Sequence, residues 1–151
     1  VEVLINDTLA LCAERFRTAQ IDLRILIQSP CQISCRPAQI CQVILNLLNN
    51  AFDAVADAAA PWVEVAAEET TSGVVRLCIT NSGSRIPDEI ADKMMRAFFT
   101  TKPVGKGTGL GLSISEGIIR AHGGKLFLDR ASQNTRFCVE LSSAQVAAKA
   151  A

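Results

Sequence analysis

The run Phe98-Phe99-Thr100-Thr101-Lys102 is followed within a few residues by Gly105-Lys106-Gly107-Thr108-Gly109-Leu110-Gly111-Leu112-Ser113. Alternating glycines ahead of an apolar helical segment have the makings of a phosphate cradle. Glycine lets the backbone take positive φ and approach a ligand closely, so successive N–H groups can converge on an anion near the positive end of the following helix. Lys102 and Lys106 flank the cradle with charge. Two better-known phosphate loops are excluded by spacing. A P-loop ends in Gly-Lys-Ser/Thr, whereas Lys106 precedes Gly107 and Lys125 precedes Leu126. A dinucleotide fingerprint needs a third glycine three residues beyond the second, and leucines occupy 110 and 112.

A second chemical pattern lies between Ala38 and about Asp57. At 100° per residue, Ile40, Val43, Ile44, Leu47, Leu48, Ala51 and Val55 share one broad face, and Asn46, Asn50, Asp53 and Asp57 form a stripe opposite. Asparagine is a poor mid-helix residue, and an ordinary solvated face would more often use Glu, Lys or Gln. Its side-chain oxygen is a hard, neutral ligand that suits Mg²⁺, an ion held through few protein oxygens, several waters and the phosphates of a nucleotide. A magnesium-bearing helix facing a phosphate cradle makes a nucleotide site.

Around these two patterns the sequence predicts a helix over residues 3–18, an alternating strand at Ile21–Ile25 and a short extended piece near Gln32–Cys35 before the asparagine helix. Trp62–Glu69 and Val74–Thr80 read as a hairpin about Thr71-Ser72-Gly73, and residues 81–87 as a loop. Pro87 suits the first position of a short helix to about Arg96. The cradle opens a helix from about Thr108 to His122, which Gly123-Gly124 stops, and Lys125–Asp129 and Arg136–Leu141 close the chain as strands. Helices gathered on one face of a mixed sheet give an α+β sandwich.

Fifteen basic residues balance fifteen acidic ones without a basic block, so general attraction to nucleic acid or to an anionic membrane has no support. No apolar run approaches a membrane span, and the start Val1-Glu2-Val3, without Met, reads as a fragment of something longer. Cys12, Cys31, Cys35, Cys41, Cys78 and Cys138 lie mostly in apolar segments without a CxxC pair and read as buried thiols of a reducing compartment.

Asn46-Leu47-Leu48-Asn49-Asn50-Ala51-Phe52-Asp53-Ala54, Phe98-Phe99-Thr100-Thr101-Lys102 and Gly107-Thr108-Gly109-Leu110-Gly111-Leu112-Ser113, in that order, resemble the N, F and second glycine boxes of histidine-kinase catalytic domains. His122-Gly123-Gly124 resembles the segment that usually follows. The resemblance implies a Bergerat-type two-layer sandwich of about five strands with three main helices on one face, spanning residues 1–142, with 143–151 as an Ala-rich tail. By position, Asn50 takes the place of the magnesium-coordinating asparagine, and Asn46, Asn50 and Lys102 serve the catalytic step. Asp53, Asn81, Gly83, Ile86, Phe99 and Thr101 join the nucleotide site, as do Lys102, Lys106, Gly107, Thr108, Gly109, Leu110, Gly111 and Leu112 on its phosphate and lid side. Hydrolytic relatives carry a glutamate where this chain has Asn46, and an amide cannot act as a general base, which favours phosphoryl transfer over hydrolysis.

The resemblance also implies partners and a place in the cell. Mg-ATP would give its γ-phosphoryl group to a histidine on a separate dimerisation and phosphoacceptor domain of the same longer chain, and a response-regulator receiver domain would follow, all on the cytoplasmic side. His122, at a helix end before two glycines, reads as a capping residue and not as that acceptor. The first glycine box departs from the family pattern of Asp-x-Gly-x-Gly: here Asn81-Ser82-Gly83-Ser84-Arg85 places an amide at the adenine-reading carboxylate and Arg85 at the second glycine. Asn81 loses roughly 1 kcal/mol of charge-assisted bonding, and its NH₂ can donate to another purine atom. Arg85 either fills the pocket or swings out to meet a phosphate. A degenerate domain that binds no nucleotide and serves as a response-regulator interaction or phosphotransfer module is the alternative. A serine kinase of the anti-sigma-factor type and an ATPase are further readings.

Overall fold

The seven apolar positions expected on the asparagine helix are the seven that its helix buries, and the rest of the molecule packs around that face. In a computed structural model that describes residues 1–28, 31–101 and 107–144, the elements run α1 (Glu2–Thr18), β1 (Asp22–Ile27), α2 (Pro37–Val55), β2 (Trp62–Glu69), β3 (Val74–Ser84), α3 (Asp88–Ala91), α4 (Gly111–Ala121), β4 (Lys125–Leu128) and β5 (Asn134–Ser142). The five strands form one sheet in the order β1-β2-β3-β5-β4. β1 joins β2 in parallel, and the other pairs are antiparallel, so the sheet is mixed as expected.

Period-two alternation sorts the strand residues. Val63, Val65 and Ala67, then Val75, Leu77 and Ile79, then Phe137, Val139 and Leu141 are buried against α1, α2 and α4. Central α2 meets α1 on one flank and α4 on the other. At the α1 seam the rings of Phe16 and Phe52 meet edge to face with centroids 5.3 Å apart, and the Arg15 guanidinium lies 3.8 Å over Phe52.

Several boundaries differ from the sequence reading, each for a local reason. β3 continues through Asn81–Ser84, because Asn81 still pairs with Val63 of β2 while the β3–β5 register slips between Thr80 and Ser84. Pro87 precedes α3 instead of opening it, and α3 is a single turn followed by isolated turns to Phe99. α4 begins at Gly111, three residues late, since Gly109 sits at φ +66°. The extended piece near Gln32–Cys35 is a single bridge, Ile33 to Ser143. Ser143 and Ala144 are docked, donating their N–H groups to Gly73 and Gln32 carbonyls, and residues 145–151 of the expected tail lie outside the described residues.

The expectation of six unpaired thiols fails for two. Cys78 of β3 and Cys138 of β5 are direct partners in the strand register with Cα atoms 4.2 Å apart, and they form a disulfide; Cys12, Cys31, Cys35 and Cys41 are free thiols. The pair stands on the face of the sheet turned away from the helices, beside Glu68, Arg76, Phe127 and Arg136.

On that face Glu140 accepts from Lys125 at 2.8 Å and from Arg76 at 2.7 Å. Lys125 above all, with Arg76, holds its carboxyl below the usual carboxylate range against an opposing effect of burial. With the folded value depressed, the stabilisation is whole above the unfolded value of about 4.3 and is lost as pH falls through the folded one. Thermal melts followed by circular dichroism from about pH 7 to about pH 3 are expected to show Glu140→Gln starting below wild type and losing less of its Tm on acidification. Parallel curves would contradict this ion-pair account.

Candidate functional site

The stripe on α2 divides between its two neighbours. Asp53, with Asn49 beside the stripe, faces α1, where Arg15 donates to Asn49 Oδ1 at 2.9 Å and to Asp53 Oδ1 at 3.1 Å. Asp53, expected in the nucleotide site, is thus engaged across the α1–α2 seam. Asn46 faces α4: its Nδ2 donates to the buried Ser115 Oγ at 2.9 Å. Asn50 lies one turn beyond Asn46 on the same side, half-buried, with no side-chain hydrogen bond among the described residues.

Gly111 permits the close approach of α4 to α2. A Cβ there would stand 2.9 Å from Asn46 Nδ2 and 3.0 Å from its Cγ, tighter than side chains tolerate. The first turn of α4 has no side-chain cap, so its N–H groups are left to a ligand or to water. Just upstream, Thr108 Oγ1 accepts from the Leu110 N–H at 3.4 Å. The Phe98 N–H donates to the Gly109 carbonyl at 2.9 Å. A side chain at Gly109 would press on the Phe99 carbonyl at 2.7 Å, and its φ of +66° favours glycine besides. Phe98 itself holds φ +66°, a conformation rare for a bulky residue, and is 76% exposed. The aromatic run and the glycine run therefore form one joined unit at the head of α4, with Phe99 and Leu112 packed onto the core and Thr101 exposed. Gly107 is partly buried and Leu110 immediately precedes the helix; Lys102 and Lys106 lie outside the described residues.

At the other end, the slip between β3 and β5 frees Asn81, Ser82 and Gly83 from the β5 ladder. Asn81 is 2% exposed, and its Oδ1 accepts the Gly83 N–H at 2.8 Å. A Cβ at Gly83 would come within 2.7 Å of that oxygen, so a side chain here would displace the Asn81 amide. Side chains that the sequence reading missed hold the slip open. Asn134 Nδ2 donates to the Gly83 carbonyl at 3.3 Å, Thr135 Oγ1 to the Ser84 carbonyl at 2.7 Å, and Ser82 Oγ accepts the Trp62 N–H at 3.1 Å. Their only signal in sequence is polarity at strand ends. Arg85 neither fills the pocket nor is held toward the phosphate end: it pairs with Asp88 at 2.8 Å, in a surface group that includes Arg130 and Asp92. Ile86 packs against the core.

His122 is a clasp. Nδ1–H donates to the Ile118 carbonyl at 2.8 Å, and Nε2 accepts the Arg36 N–H at 3.2 Å, at the head of α2. The neutral tautomer with its proton on Nδ1 satisfies both bonds. A concavity of about 440 Å³ lies elsewhere, on the helix-free face of the sheet, lined by the disulfide and paired charges such as Arg76 and Arg136, and contains none of the residues above.

The pattern of the histidine kinase-, DNA gyrase B- and HSP90-like ATPases matches residues 35–145. The chain belongs to this family. It is 35% identical over 126 residues to the C4-dicarboxylate transport sensor protein DctB of Pseudomonas aeruginosa, covering 81% of this chain and 20% of that protein. Among solved structures, the nucleotide-free catalytic domain of histidine kinase ThkA superposes with a TM-score of 0.82 at 32% identity, over 93% of this chain and 92% of that one. ThkA in complex with response regulator TrrA matches with a TM-score of 0.80 at 28% identity, over 95% of this chain and 40% of that one. Full-length ShkA in complex with AMPPNP matches with a TM-score of 0.81 at 25% identity, over 95% and 30%. The chain thus has the fold of a histidine-kinase catalytic domain and spans about a fifth of the curated relative's length.

Within this family fold, Asn46→Ala would leave the buried Ser115 hydroxyl without its partner and open a gap beside Gly111. The expected loss in urea-unfolding free energy is about 1–3 kcal/mol. A change under about 0.5 kcal/mol would mean that the α2–α4 seam does not depend on this amide.

Proposed function

We propose that this chain is the catalytic, ATP-binding domain of a two-component sensor histidine kinase, which binds Mg-ATP and passes the γ-phosphoryl group to a histidine on a dimerisation and phosphoacceptor domain. The observation that carries the reading is the α2–α4 seam. Asn46 and Gly111 lock the asparagine helix to the glycine loop, and Asn50 stands one turn away with its amide unengaged among the described residues. The family match and the AMPPNP complex of ShkA, whose structure superposes on this chain, support a nucleotide as the ligand.

Each part of the site has a distinct task in this reading. Asn50 offers a neutral oxygen suited to Mg²⁺, which when bound neutralises phosphate charge and aligns the transferring group. The uncapped N–H groups at the head of α4 hold phosphate oxygens, with Lys102 and Lys106 contributing charge. Asn81 and Gly83 read the base, Ile86 and Leu112 give the pocket an apolar wall, and Thr101 lies at the lip. Asn46 supplies no general base, since an amide does not take up a proton and its Nδ2 is given to Ser115, so transfer is favoured over hydrolysis. His122, with both ring nitrogens bonded, is a structural clasp, and the phosphoacceptor is a histidine elsewhere.

The complex of ThkA with TrrA supports a response-regulator receiver domain as the next partner. No helix among the described residues is long and apolar enough to cross a membrane, and the balanced charge offers no general attraction to nucleic acid. A cytoplasmic setting is part of the same proposal. The alternative, an interaction module without nucleotide, loses one of its two supports because Arg85 is turned out to Asp88.

Titration calorimetry with a non-hydrolysable ATP analogue and excess Mg²⁺ tests the reading. One-to-one binding is expected, weakened about tenfold or more by Asn50→Ala in Mg²⁺ and little changed by it in EDTA. Absence of binding by the wild-type chain would overturn the proposal in favour of the interaction module.

A further inference from the structure

The base end of the site has an unusual polarity. Asn81 is 98% buried by the measure of its 2% exposure, on the helix-facing side of β3 in line with Val75, Leu77 and Ile79. Its Oδ1 receives the Gly83 N–H at 2.8 Å. A backbone N–H can donate only to the oxygen of an amide, so this bond fixes the side chain's orientation and makes the other terminus the NH₂. That Nδ2 has no partner among the described residues. It is not sealed in either, since Ser143 Oγ is the fully enclosed side-chain polar atom left without a partner there. A donor-only group, almost wholly withdrawn from water, thus keeps a sliver of accessible surface beside Gly83, close to the C-terminal end of α2 at the Ala54 carbonyl.

We infer that Asn81 sets the base preference of this site toward a 6-oxopurine, guanine or hypoxanthine, whose O6 accepts the Nδ2 proton. The inference rests on the nucleotide site proposed above and deepens it. A carboxylate anchored by the same Gly83 N–H would present a second acceptor at this point, suited to the 6-amino group of adenine. The amide presents hydrogens there, so an adenine amino group meets donor against donor and leaves a buried N–H unpaired, the arrangement that sites use to reject the wrong analogue. Arg85 does not offset this, being held out on Asp88. An inosine or guanosine triphosphate would accordingly serve as phosphoryl donor at least as well as ATP.

Inosine and adenosine nucleotides differ only at position 6 and the attached N1 proton, so calorimetry of the wild-type chain with Mg-IDP and Mg-ADP isolates the contact without any variant. IDP is expected to bind about tenfold more tightly, with GDP on the same side, and Asn81→Asp to reverse the order. Tighter binding of ADP by the wild type would overturn the inference and leave the nucleotide site standing, with Nδ2 on adenine N1 in place of O6. A ratio unchanged in a folded Asn81→Asp protein would overturn it equally. Absence of binding by all three nucleotides would remove the site itself, and this inference with it.

Discussion

The contact between Asn46 on α2 and the head of α4 is the constraint on which the rest of the site depends. The Asn46 amide occupies the space that a Cβ at position 111 would take, and it is bonded to the buried Ser115 hydroxyl. This one joint sets where the uncapped first turn of α4 points relative to Asn50. The joint is polar, so it is directional: an apolar pair would hold the helices together without fixing their register. His122 repeats the device at the opposite end of α4, tying its last turn to the backbone at the start of α2.

The sheet contributes the other wall by a controlled irregularity. β3 stays paired with β2 as far as Asn81 while its pairing with β5 slips, and the released backbone is caught by Asn134, Thr135 and Ser82. A slip of this kind next to a functional loop re-aims one side chain without breaking the strand. Here it directs Asn81, whose amide is anchored by Gly83. The two ends of the proposed nucleotide site are thus built by different physics, one by helix packing and the other by strand register.

What the sequence made legible follows from the range of each interaction. The buried face of α2 rests on a 3.6-residue period and emerged whole, and the order of the asparagine, aromatic and glycine runs was enough for the family. The roles of Asn46 and Asp53 were not legible, because their partners Ser115 and Arg15 are 69 and 38 residues away, and the stripe looked uniform until α1 and α4 took opposite flanks. The Cys78–Cys138 disulfide depends on the β3–β5 register, which no local pattern encodes. Asn81-Ser82-Gly83-Ser84 has the composition of a turn, so the continuation of β3 through it was hidden. The late start of α4 reflects a backbone condition, the positive φ at Gly109, inside an otherwise helical pattern.

The proposed function requires a nucleotide between α2 and α4, against the slipped end of β3, and not in the concavity on the helix-free face of the sheet. Amide hydrogen exchange with and without a saturating Mg-nucleoside triphosphate analogue measures this most directly. New protection is expected in residues 81–85 and 107–113, with the strand segments around Cys78 and Cys138 unchanged. Protection confined to the latter segments, or none in the first turn of α4, would contradict it.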